Sequence, residues 1–198
     1  LISTRRREFE VECNWKSFLE VFNEYYHLPY VHPDSVNNIY NSPDEADETT
    51  GAYVSQFGST EGTGGLLQDS TEEPLPVMKS LQGRNRQGVR YSWVFPNMTF
   101  AAGIDAVWVY EIYPVAPGRC RVGMTACFAS ETTVLPGFDD RVQHYYKRLD
   151  EAIAEDIPAL EDQQLGLASD FARQGRFSPL LEANVAGFAK WYAGQMSA

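Results

Sequence analysis

Three runs of alternating apolar and polar residues between Val89 and Phe128 most constrain this chain, because a period of two is the signature of a pleated strand. Val89, Tyr91, Trp93 and Phe95 share one face of the first run. In the second, Ala106, Trp108, Tyr110 and Ile112 stand opposite Val107, Val109 and Glu111. After the turn Pro114-Val115-Ala116-Pro117-Gly118-Arg119, the positions Cys120, Val122, Met124, Ala126 and Phe128 alternate again. Strands this close in sequence predict an antiparallel meander. Aromatic side chains on both faces of the middle run predict that one face packs on helices while the other lines a cavity or a subunit contact.

The flanks read as helix and loop. Phe9 and Val11 alternate with Glu8, Glu10 and Glu12 as a short strand, and Trp15, Phe18, Leu19, Phe22 and Tyr26 then recur at helical steps. Residues 37–87 turn polar and rich in Gly, Ser, Thr and Asp, which predicts mostly loop, interrupted by a strand near Ala52 to Phe57. A long excursion of this kind is often a functional lid. The last third carries the stripe Val142, Tyr145, Tyr146, Leu149, Ile153, Ile157 and Leu160, a long amphipathic helix.

At 198 residues, 43% hydrophobic and 13% aromatic, the chain is large enough for one well-packed domain, 1–198. A formal net charge of −11 argues against a nucleic-acid or anionic-membrane partner, since both demand clustered Lys and Arg. The three cysteines, Cys13, Cys120 and Cys127, form no CxxC pattern, and an odd count points to free thiols in a reducing compartment. No apolar run approaches the roughly 20 residues of a membrane span. The expectation is a cytoplasmic protein acting on a small molecule.

Two of the three histidines lie close together, His27 and His32, in the run Asn23-Glu24-Tyr25-Tyr26-His27-Leu28-Pro29-Tyr30-Val31-His32-Pro33. Neutral imidazoles are good ligands for divalent iron, zinc or copper, and one added carboxylate completes a facial triad with open positions. In an unbroken helix the two rings would point roughly 140° apart, a poor chelate. Pro29 breaks the helix and makes convergence possible, so a helix from Trp15 to Tyr26 should end near His27. The competing reading makes His27 a helix C-terminal cap and His32 an ordinary loop residue.

A third ligand is available on the long helix. Asp156 falls beside Ile153 and Leu160 on the apolar stripe, where a carboxylate is expensive unless paired or metal-bound. Pro158 should distort the helix around it, or else start a second helix whose first turn favours a carboxylate. Glu155, Glu161 and Asp162 are competing carboxylates on less buried faces.

Asn14-Trp15-Lys16, Glu24-Tyr25-Tyr26-His27 and His32-Pro33 resemble the signature of the catalytic domain of Rieske-type non-haem iron oxygenase α subunits, the aromatic-ring-hydroxylating oxygenases. Glu155-Asp156, Gln164-Leu165-Gly166-Leu167, Gly175, Glu182 and Phe188 to Tyr192 resemble the family's C-terminal block, so the resemblance spans nearly the whole chain. It implies an α+β helix-grip fold (START/Bet v 1-like), an antiparallel sheet gripped by a long C-terminal helix. It also implies that His27, His32 and Asp156 bind one Fe(II), and that Glu24 bridges from His27 toward a Rieske histidine as a catalytic carboxylate. Asn23, Tyr26 and Asn97 become candidate pocket residues.

The implied activity is hydroxylation of a small, aromatic substrate with O2; oxidative N-demethylation or hydroxylation of a methylated or quaternary amine is the alternative. The implied partners are the Rieske domain of a neighbouring subunit in a homotrimer and a ferredoxin or reductase delivering electrons from NAD(P)H. The chain departs from the family in having no Cys-x-His or Cys-x-x-His, so the [2Fe-2S] cluster belongs to an N-terminal domain absent here, and the opening at Leu1 suggests a longer subunit. Two other classes stay open. One is a metal-free helix-grip ligand-binding module. The other is a zinc hydrolase, for which no general base of the His-Glu-x-x-His kind is present.

Overall fold

The computed structural model describes residues 1–197, and its alternating runs pair as the periodicity requires. Seven strands form one antiparallel sheet: β1 (Ile2–Val11), β2 (Tyr40–Pro43), β3 (Tyr53–Thr60), β4 (Gly88–Val94), β5 (Met98–Ala102), β6 (Val107–Ala116) and β7 (Arg119–Phe128). Their order is β1-β7-β6-β5-β4-β3-β2, a meander whose far edge is closed by the N-terminal strand. Helices α1 (Trp15–Phe22), α2 (Leu28–Val31), α3 (Ser130–Thr133), α4 (Phe138–Leu167) and α5 (Ala183–Met196) complete the α+β architecture. Among the described residues no helix is long and apolar enough to cross a membrane.

The main core lies between one sheet face and the helices. Trp93 of β4 is fully buried and stacks on Phe188 of α5 with ring centroids 4.0 Å apart. Phe128 of β7 meets Tyr145 of α4 edge to face at 5.5 Å. The opposite sheet face carries a small buried patch, Met78, Val107 and Ala129 with their partly buried neighbours, beside a cavity of about 350 Å³ that Leu81 and Ala102 also line. Burying a Trp or Phe of this size stabilises through area, and ring pairs add roughly 0.5–1.5 kcal/mol beyond it.

Four expectations change. First, β1 runs the full length Ile2–Val11 because Arg5 and Arg7 project to one side and both reach Asp150 of α4, Arg7 at 2.7 Å. Those charges hid the strand period in the sequence. Second, α1 stops at Phe22, not near His27. The Asn23 side-chain amide donates to the Leu19 carbonyl (2.7 Å) and to Thr99 Oγ1 (3.1 Å), ending the helix and tying it to β5.

Third, the polar stretch 37–87 is no lid. Leu66, Leu75 and Met78 are buried, and the Leu75 amide donates to Tyr145 Oη at 2.8 Å. Tyr145 in turn donates to the buried carboxylate of Asp105, which Thr63 also serves at 2.6 Å. Fourth, α4 continues through Pro158 as one helix of 30 residues, so no second helix begins there.

Trp93→Ala should cost about 3–5 kcal/mol of stability, the usual penalty for emptying a fully buried aromatic site. Urea unfolding checks this, and a loss under about 1 kcal/mol would mean that the Trp93–Phe188 stack contributes little.

Candidate metal centre

Helix α2 is a single turn, Leu28–Val31, and His27 and His32 are the residues at its two ends. Pro29 sits in its first turn, where its missing N–H would have no intrahelical partner anyway. The Tyr30 and Val31 amides close back on the His27 carbonyl, and the His32 amide on that of Leu28. The turn brings the two rings to a centroid separation of 5.1 Å, at 74° to one another. His27 is therefore not a C-terminal cap of the preceding helix, which ended at Phe22.

Asp156 arrives from α4. Its Oδ1 lies 3.0 Å from His32 Nε2 and 3.8 Å from His27 Nε2, and one ligand atom from each of the three residues falls within 4.8 Å of the others. The side chains are largely buried, with 3% exposure for His32 and 18% for Asp156.

The outward faces of both rings are engaged by carboxylates. His27 Nδ1 lies 2.5 Å from Glu24 Oε1, and Glu24 Oε2 accepts from the amides of Tyr26 (2.7 Å) and His27 (3.2 Å). His32 Nδ1 lies 2.7 Å from Glu155 Oε2, which also accepts from Ser35 Oγ at 2.6 Å. Carboxylates accept only, so each Nδ1 carries the proton and each Nε2 turns a bare lone pair inward.

The inward atoms are thus two imidazole lone pairs and a carboxylate oxygen, with no proton donor among them. Asp156 Oδ1 is buried, with His32 Nε2 3.0 Å away. Three acceptors at this distance repel unless a cation sits between them. Two metal bonds of about 2.1 Å at right angles would separate their ligand atoms by about 3 Å, as His32 and Asp156 are separated. Two nitrogens and one oxygen with open positions suit ferrous iron, and zinc accepts the same donors. The residues present fit a divalent cation.

In the metal-free chain Asp156 and Glu155 favour a proton on the His32 ring. Burial works against the His32 imidazolium, but the hydrogen bonds and charges of Asp156 and then Glu155 outweigh it, leaving His32 above the ordinary histidine value.

Glu24, His27, His32 and Asp156 come together as the sequence suggested, and Glu155 joins them as the carboxylate behind His32. The candidate pocket residues do not. Asn23 is buried at the α1–β5 junction, Tyr26 is 45% exposed, and Asn97 lies in the β4–β5 turn, where its carbonyl accepts from Ile112. A cavity of about 60 Å³ does open beside the three ligands, walled by Phe22, Tyr25, Tyr40, Tyr91, Tyr110 and Arg148. In the sequence Tyr91 and Tyr110 show only strand periodicity and Tyr25 only its place in the signature run, while Tyr40 and Arg148 carry no reading there. Arg148, Ala152 and Asp156 recur every four residues along α4, a one-face spacing that was available in the sequence.

Comparison with known proteins gives a consistent picture. Residues 2–198 match the family model described as ring hydroxylating alpha subunit (catalytic domain). The chain is 25% identical over 198 residues to the chloroplastic choline monooxygenase of Beta vulgaris, covering 95% of this chain and 38% of that protein. The Spinacia oleracea choline monooxygenase is 25% identical over 191 residues, with 94% and 38% covered. Among solved structures, the inhibitor complex of the quaternary ammonium Rieske monooxygenase CntA aligns with a TM-score of 0.70 at 21% identity, over 98% of this chain and 50% of that one. Naphthalene 1,2-dioxygenase from Rhodococcus sp. bound to indole aligns at 0.64 and 14% identity, over 96% and 55%. At such identities the structural likeness establishes the fold alone. The chain spans 38% of the length of the curated relatives it matches.

In metal-free protein the raised His32 value has a definite sign. Its stabilisation is complete below the ordinary histidine value near 6.5 and is lost as pH rises through the raised one. NMR titration should show His32 titrating above a free histidine, and Glu155→Gln should move it down. A midpoint unmoved by Glu155→Gln would remove Glu155 as its partner.

Proposed function

The chain belongs to the family of ring-hydroxylating α-subunit catalytic domains, and from that premise we propose that it is the oxygen-activating part of a Rieske-type oxygenase acting on a small organic substrate. The observation that carries the reading is the convergence of two imidazole nitrogens and the buried Asp156 Oδ1 beside a cavity lined by tyrosines. Bound there, Fe(II) would supply dioxygen activation next to a carbon of the substrate.

The residues around it have separate tasks. Glu24 and Glu155 hold the Nδ1 protons, so both rings keep the tautomer that binds metal. Phe22, Tyr25, Tyr91 and Tyr110 shut water out and set the shape of the occupant. Hydroxylation of an aromatic ring is the primary reading. The tyrosine walls also suit the cation of a methylated amine, the second reading, toward which the choline and quaternary ammonium relatives lean.

Electrons would come from the Rieske [2Fe-2S] domain of a neighbouring subunit, through Glu24 to His27, supplied by a reductase or ferredoxin using NAD(P)H. We place the whole chain, 1–198, as one catalytic domain of such an assembly, a homotrimer.

Protein purified anaerobically should contain stoichiometric iron, measured with zinc by elemental analysis, and Asp156→Ala or His27→Ala should lose it with the fold kept. Zinc in place of iron, or no metal in the wild type, would defeat the oxygenase reading. Glu24→Gln should retain iron and lose coupled turnover in the full-length subunit; undiminished turnover there removes the bridging role.

A further inference from the structure

One wall of the cavity carries a charge that no ion pair among the described residues balances. Arg148 stands two turns before Asp156 on α4, is 6% exposed, and faces the same cavity. Among the described residues its guanidinium makes one hydrogen bond, Nη2 to Tyr40 Oη at 2.8 Å. Its Nε is buried and has no partner, and it takes part in no ion pair. The nearby carboxylates are committed elsewhere: Glu24 to His27, Asp150 to Arg5 and Arg7, Asp156 to the histidines. The phenols around it are no substitute, since burial pushes Tyr91 and Tyr110 up and keeps them neutral.

A guanidinium cannot shed its proton, and an unpaired buried cation is among the costlier features a fold can hold. Had Arg148 served only stability, an internal carboxylate or an apolar residue would serve better. Its place beside the candidate metal ligands gives it another purpose. We propose that Arg148 selects substrates bearing a carboxylate, gripping that group with the N–H donors Tyr40 leaves free. This rests on the oxygenase reading for the word substrate, but the anion site stands on its own geometry.

The layout fits. Asp156 lies eight residue steps after Arg148 on α4, a backbone rise of about 12 Å along the axis. Because Arg148, His27, His32 and Asp156 all line one cavity, a substrate anchored at Arg148 by its acid end shares that space with the triad. A carboxylate is common to an aromatic acid and to a betaine, so the same feature serves either substrate reading, and it argues against a hydrocarbon or a simple amino alcohol.

The test compares matched pairs on the iron-loaded protein by calorimetry and thermal shift: benzoate against benzamide, glycine betaine against choline. At least one acid should bind and raise Tm while its counterpart does not. Arg148→Met should weaken acid binding about ten- to hundredfold, the usual worth of a charge-assisted hydrogen bond. Its iron content should be unchanged, and its ligand-free Tm equal to or above wild type, because a buried charge has been removed. Arg148→Lys, which keeps charge without the fork, should fall between. Acids that stabilise no more than their counterparts, or a Tm that falls sharply in Arg148→Met, would overturn the proposal. Arg148-dependent acid binding by a wild type lacking iron would defeat the oxygenase reading and leave this one standing; iron without acid selectivity would do the reverse.

Discussion

Three electron-pair donors held face to face, with no proton donor among them, repel one another, and the surrounding structure works to keep them there. Carboxylates behind each histidine fix the rings. A one-turn helix bracketed by the histidines sets their spacing, and a 30-residue helix brings the third donor across. That helix is anchored by the Arg5 and Arg7 contacts to Asp150 and by Tyr145, whose hydroxyl joins the stretch 37–87 to Asp105. A bound cation turns this repulsion into attraction, so folding and metal binding become coupled equilibria.

The sequence was legible where one period dominated. Alternation from Val89 to Phe128 placed the meander, and the three- and four-residue steps from Val142 to Leu160 placed the long helix. It misled where a charged or polar side chain had a tertiary partner that no local pattern announces. Arg5 and Arg7 disguised β1, and Asn23 ended α1 early through Thr99, 76 residues away. Met98–Ala102 went unread as a strand because five residues between two turns carry too little period.

The site was legible in the same uneven way. His27 and His32 announced themselves through Pro29, and Asp156 through its apolar neighbours. Arg148 obeys the same logic as Asp156, a charge on a buried face, yet a long basic side chain on a helix reads as solvated by default. Asn23 and Tyr26 follow from nearness to the histidines in sequence and Asn97 from the resemblance of its segment, and neither says which way a side chain faces.

Because Arg148, Ala152, Glu155 and Asp156 all belong to one unbroken helix, their relative placement is set by backbone geometry rather than by loops. Each added or lost residue between 148 and 156 would rotate one end of the site by about 100° against the other. This nine-residue stretch should therefore be closed to insertion and deletion. Divergence in substrate preference is thereby channelled into substitutions at fixed positions, with the gauge of the helix held constant.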